Sequence, residues 1–127
     1  MREQPSAAEL LDAVAEFLGR EVMPELSGRL AFHARVAVNV LQTVRREMSL
    51  GPAADLAETA RLTALLGHDG ETEALNAELC DWIASGAIDP DDPALIEHLW
   101  ATTLATLAVD QPNYATYRRA VAADDDQ

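Results

Sequence analysis

This sequence predicts an all-α fold: a compact bundle of five main helices with a short sixth at the C-terminus. Three observations predict it. Apolar residues return every three or four positions along most of the chain, and no stretch alternates apolar and polar over a strand's length. Ala and Leu dominate an apolar content of 49%, with aromatics at only 5%, so helix formers outweigh the residue types that favour strands. Gly, Pro and capping residues interrupt the periodic stretches at helix-length intervals.

The first helix opens on a capping box, Ser6 with Glu9, and Asp12 adds negative charge near the positive end of the helix dipole. Leu10, Leu11, Val14, Phe17, Leu18 and Val22 follow at helical spacing, and Pro24 stops the run. Ser27 is the expected cap of a second helix over 28–48. Its apolar arc reads Leu30, Ala37, Leu41, Val44 and Met48, widened by Val36 and Val40. Gly51 and Pro52 are expected to break the chain there, with Pro52 opening a third helix over 52–66 that ends at Gly67. Leu56, Ala60, Leu62, Leu65 and Leu66 give that helix its inward side.

His68, Asp69 and Gly70 form a turn into a fourth helix over 71–85, which turns Leu75, Leu79, Trp82 and Ile83 inward and stops at Gly86. Between Asp89 and Pro93 lies a breaker cluster in which Asp92 caps a fifth helix. Leu95, Ile96, Leu99, Trp100, Leu104 and Leu107 are its expected inner face. A short last helix over 114–122 follows Pro112, and residues 1–5 and 123–127 are expected to fray. The 127 residues read as one helical domain, 1–127, long enough to bury a core without metals or disulfides.

Charge narrows the function. Asp and Glu outnumber Lys and Arg 22 to 9, and a net charge of −13 opposes binding to nucleic acid or an anionic membrane. No apolar run reaches the length of a membrane span, and the first residues lack the apolar core of a secretory signal, so the expected location is cytoplasmic. Cys80 is the only cysteine, which excludes an internal disulfide and a cysteine-built zinc site; burial as a small hydrophobe is its expected role. There is no Gly-rich phosphate loop, GxSxG, HExxH or EF-hand loop, so no catalytic residue and no cofactor are nominated.

Against that acidic background four of the nine basic residues, Arg29, Arg35, Arg45 and Arg46, fall on the second helix. Helical spacing aligns Arg35, Asn39, Gln42 and Arg46 on one polar stripe, where arginine offers planar, two-pronged recognition of carboxylate or phosphate. The competing account is a solvated face paired with the chain's many carboxylates, and such pairs are common and weak. His33 sits at the border of the apolar arc, where a hydrogen-bonded core role competes with a ligand role. The order His33, His68, Asp69, Asp110 also mimics the H…HD…D metal pattern of helical phosphohydrolases, in which two histidines and two carboxylates hold a water-activating divalent ion. Gly67 beside His68 and Pro112 just after Asp110 count against that reading.

Three stretches together resemble a known family: 29–35 with Asn39, 65–70 with Leu75, Asn76, Leu79 and Cys80, and 110–114. The resemblance is to a small bacterial family catalogued as a domain of unknown function, typically encoded beside aminoglycoside-phosphotransferase-like kinases and acyl-CoA dehydrogenases. It implies association with such a kinase or dehydrogenase and attaches no catalytic motif to any residue. The expected function is a non-catalytic accessory protein that meets its partner through Arg29, His33, Arg35, Asn39 and Arg46. The alternatives are a binder of an acyl-CoA or phosphorylated intermediate, and the metal-dependent phosphohydrolase. A homodimer through the second helix is a further expectation, motivated by Val38 outside the main apolar arc.

Overall fold

Capping chemistry sets several helix ends in the computed structural model, which describes residues 4–125. The order is α1 (Ala7–Phe17), α2 (Gly28–Leu66), α3 (Thr72–Ser85), α4 (Pro93–Asp110) and α5 (Ala115–Asp125), with no strand among the described residues. Ser6 Oγ accepts the Glu9 amide at 3.2 Å and starts α1. Beyond Phe17 the chain passes through a π turn, Leu18–Val22, and a 3₁₀ turn, Met23–Glu25, before Leu26 goes extended. Pro24 thus sits in the tightening last turn rather than at the stop itself.

Asp92 caps α4, its Oδ1 accepting the Ala94 and Leu95 amides at 2.8 and 3.3 Å, with Pro93 at the first helical position. α3 ends in a Schellman motif: Gly86 is left-handed (φ 79°), and the amides of Gly86 and Ala87 return to the carbonyls of Ile83 and Trp82. Of the expected frayed ends, residues 1–3 and 126–127 lie outside the described residues; α5 continues to Asp125.

The second and third expected helices are one. α2 runs for 39 residues with Pro52 inside it. Proline removes one ladder hydrogen bond and crowds the preceding residue's Cβ. That preceding residue is Gly51, which has no Cβ and is buried, so the α conformation survives the step. Helix-forming Ala, Leu and Glu on the C-terminal side then carry the ladder on.

The chain divides into two compact units at this same step, residues 1–50 and 51–127. In the first unit, α1 and the early part of α2 run antiparallel. Arg45 Nε reaches both Asp12 carboxylate oxygens at 3.3 Å, and a groove further along pairs Ala15 and Gly19 with Val38 and Gln42. The covered positions repeat every three and four residues on both helices. They are Ala8, Leu11 and Ala15 on α1, Leu18 and Val22 in the π turn that continues it, and Ala31, Ala34, Val38, Leu41 and Arg45 on α2. Most of the apolar arc expected on α2 is therefore turned the other way: Leu30, Val36, Ala37, Val40, Val44 and Met48 are exposed, while Leu41 is covered and Val38 faces α1. Alanines alternate with Leu11, Leu18, Val38 and Leu41 in this contact, while Val36, Val40 and Val44 stay outside.

In the second unit, Leu62 and Leu66 of α2, Leu75 and Leu79 of α3, Ile88 and Leu95 form the buried cluster, with Leu65 and Trp82 packed against it. Thr59 and Thr72 hydroxyls hydrogen-bond across the α2–α3 turn. Several residues expected inside are not: Leu56 is 75% exposed, Trp100 is 51% exposed, and Ala60, Ile83, Ile96 and Leu99 are exposed as well. Cys80, expected buried, is also exposed. On α4 the covered row Leu95, His98, Thr102 and Val109 holds two polar residues, so the aliphatic pattern drew Ile96, Leu99 and Trp100 into the expected face, of which Leu104 and Leu107 are partly covered. No described helix is long and apolar enough to cross a membrane.

Candidate functional site

Each unit holds one polar assembly. In the first, Arg35, Asn39 and Gln42 are exposed along one edge of α2, with Arg46 half-buried in register. Eleven residues separate the two arginines, roughly 16 Å along a helix. Arg46 donates through Nη2 to Thr43 Oγ1 at 3.2 Å, and the Thr43 hydroxyl donates to the Asn39 carbonyl at 2.9 Å. Beside this edge lies an open groove of about 340 Å³ lined by Asp12, Ala15, Glu16, Gly19, Arg20, Val38 and Gln42. Arg45, excluded from the expected stripe by its helical angle, instead ties α2 to Asp12 and donates to Ser49 Oγ at 2.8 Å.

Arg29 and His33 do not join that edge. They share the outer side of α2, where Arg29 Nε donates to His33 Nε2 at 3.3 Å and the Phe32 ring meets the imidazole edge-on at 5.6 Å. His33 is exposed, so the core role expected of it is not what it has. Of the five residues expected to make one surface, the structure groups three, Arg35, Asn39 and Arg46, and sets Arg29 and His33 apart.

The metal constellation does not assemble. Among the described residues, no group of three or more His, Cys, Asp or Glu side chains is placed to hold a metal ion, and His33, His68, Asp69 and Asp110 are all described. His68 is occupied by its turn and by α3: Nε2 lies 2.7 Å from Glu78 Oε2 and Nδ1 lies 3.0 Å from the Asp69 carbonyl. The Asp69 carbonyl and then the Glu78 carboxylate favour the imidazolium, so the His68 pKa is raised above the ordinary histidine value. Asp110 is the exposed last residue of α4.

The second unit's assembly centres on a residue that sequence reasoning passed over. His98 is 2% exposed on α4, the one buried polar side chain among the described residues. Arg61 of α2 donates through Nε to His98 Nδ1 at 3.1 Å and through Nη2 to Thr102 Oγ1 at 3.2 Å. A guanidinium only donates, so Nδ1 is the bare nitrogen and the ring proton resides on Nε2. Burial first, and the Arg61 charge second, push the His98 pKa below the ordinary value. A cavity of about 190 Å³ opens beside the pair, walled by Ala64, Leu65 and Ala94 and carrying Glu97 at its side. The available signal was the placement of His98 three residues after Leu95 and four before Thr102, a covered-row spacing with polar occupants. Chemically, the arrangement presents a guanidinium, a neutral imidazole and the Glu97 carboxylate beside an apolar wall.

No curated protein and no solved structure matches the chain. A family profile does match, over residues 24–114, a stretch that contains α2, α3 and α4 and leaves out α1 and α5. The chain belongs to the family described as domain of unknown function DUF6285.

Proposed function

We propose that the protein is a non-catalytic accessory module that binds a protein partner along the polar edge of α2. The partner is a phosphotransferase-like kinase or an acyl-CoA dehydrogenase, as the family resemblance implies. One observation carries the reading: in a chain of net charge −13, Arg35, Asn39, Gln42 and Arg46 share one helix edge. Paired arginines suit acidic side chains on a partner, and rim charges of this kind set encounter rate and orientation more than affinity. Affinity purification of the tagged chain from its native host tests the proposal. A kinase or dehydrogenase retained in near-equal amount supports it, and a chain that retains neither overturns it.

The cavity beside His98 favours a second reading, a binder of a small anionic ligand. Its volume of about 190 Å³ falls below the 300–1,000 Å³ or so of ordinary ligand pockets. A phosphate or short carboxylate fits that volume, and an entire acyl-CoA does not. Thermal stability measured against phosphate, acetate and short-chain acids separates the readings, because a ligand selective for the native state raises stability with its concentration. A shift abolished by Arg61→Ala supports the small-ligand reading, and no shift across the panel removes it.

A further inference from the structure

The outer side of α2 carries a seam that complements itself. Residues 29, 33, 36, 40, 43 and 47 follow alternating steps of four and three, the spacing of a coiled-coil stripe, and span roughly 27 Å of helix. The stripe is turned about a third of a turn from the edge bearing Arg35, Asn39, Gln42 and Arg46, and it faces away from α1. It is exposed and apolar at its middle: Val36 is 42% and Val40 54% exposed, and Phe32 and Val44 beside them are 63% and 42% exposed. A positive charge, Arg29, closes one end, and a negative charge, Glu47, closes the other; both are exposed.

We propose that this seam binds a second copy of the chain, with the two α2 helices antiparallel across a two-fold axis level with residue 38. In that register Arg29 meets Glu47 of the second copy, His33 meets Thr43, Phe32 meets Val44, and Val36 meets Val40. Each pairing occurs twice because the interface is isologous. The seam positions pair as facing layers of an antiparallel coiled coil do, each first-position residue opposite a fourth-position one. Charge settles the direction: a parallel pairing would set Arg29 against Arg29 and Glu47 against Glu47, and like charges in facing positions oppose association. Arg29 is held over the seam by its bond to His33, which places its remaining guanidinium donors near the position Glu47 would reach. This inference goes beyond the partner-binding reading, uses a different side of α2, and revises the expected dimer, whose motivating residue Val38 packs on α1.

Sedimentation equilibrium on the purified full chain tests it. The expected mass is twice the 13.7 kDa of one chain at micromolar concentration. Val36→Glu/Val40→Glu is expected to give a monomer with unchanged helical circular dichroism, since both side chains are exposed and folding does not require them. Arg29→Glu is expected to weaken the dimer about tenfold by setting two carboxylates together at each end of the seam. Arg29→Glu/Glu47→Arg is expected to restore it, because the swap preserves the complement only in the antiparallel register. A wild-type chain that stays at one-chain mass at 100 µM or so overturns the proposal. So does a dimer that survives Val36→Glu/Val40→Glu, or a charge swap that fails to rescue Arg29→Glu.

Discussion

The His98 imidazole accepts a hydrogen bond on the nitrogen that would have to take up a proton, so protonation breaks the Arg61 contact and charges a buried ring. Both effects agree with a pKa held below the unperturbed 6.5. The sign for stability follows from linkage. Below pH 6.5 the unfolded chain binds a proton that the folded chain refuses, so His98 makes the fold lose stability as pH falls from 6.5 toward its lowered pKa. His68 works in the opposite sense. Its raised pKa supplies stability below 6.5 that disappears as pH rises through the raised value. His68 is exposed and its partner Glu78 partly so, which keeps its contribution small, and the buried residue should dominate. Denaturant unfolding at pH 5 and pH 7 is expected to show the loss on the acid side, and His98→Gln is expected to flatten that slope. Arg61→Ala leaves the buried Nδ1 without its donor and is expected to cost about 1–3 kcal/mol. The same substitution should move the His98 titration, followed by NMR, upward, since the neighbouring positive charge is gone while burial remains. A titration unmoved by Arg61→Ala would show that the guanidinium contributes nothing to the shift.

α2 shows where sequence periodicity informs and where it misleads. Helical identity was legible over most of the chain, because Ala and Leu propensity and the caps at Ser6, Asp92 and Gly86 act locally. The break at Pro52 was expected from an equally local rule, and Gly51 undid it by relieving the crowding that normally drives the residue before proline out of the helix. Proline remains a poor residue inside a continuous helix, so Pro52→Ala is expected to raise stability by about 2 kcal/mol, less than the full helix-propensity difference because the unfolded chain gains freedom. No gain on replacement would contradict an uninterrupted α2. Inner faces were misassigned wherever the covered row is small or polar. α1 meets α2 through Ala15 and Val38 as well as Leu11 and Leu41, and α4 turns inward with His98 and Thr102 beside Leu95 and Val109, so a search for the largest aliphatic stripe takes in exposed Val36, Val40, Ile96 and Leu99. Polar residues can occupy a covered row when a partner from another helix satisfies them, as Arg61 does here.

Across the whole chain, α2 is the element that both units share by sequence, and it carries the features with binding character: the arginine edge, the outer seam and Arg61. The family match encloses all of α2, which connects these surfaces with the part of the chain that defines the family. The candidate surface was partly legible in the sequence. Arg35, Asn39 and Arg46 align by helical angle alone, and the same angles set Arg29 and His33 about a third of a turn away, on the outer side where the structure has them. The spacing of His98 from Leu95 and Thr102 was a signal in the sequence, but its pairing with Arg61 was not legible, because a contact between residues 61 and 98 depends on how helices pack and leaves no periodic trace. The most direct test of the functional account is the amount of host kinase or dehydrogenase retained by an Arg35→Glu/Arg46→Glu chain relative to the unmodified one, at matched helical content. The account predicts that retention falls at least tenfold or so, with the wild-type complex weakening as salt is raised. Retention at full strength by the charge-reversed chain would contradict it.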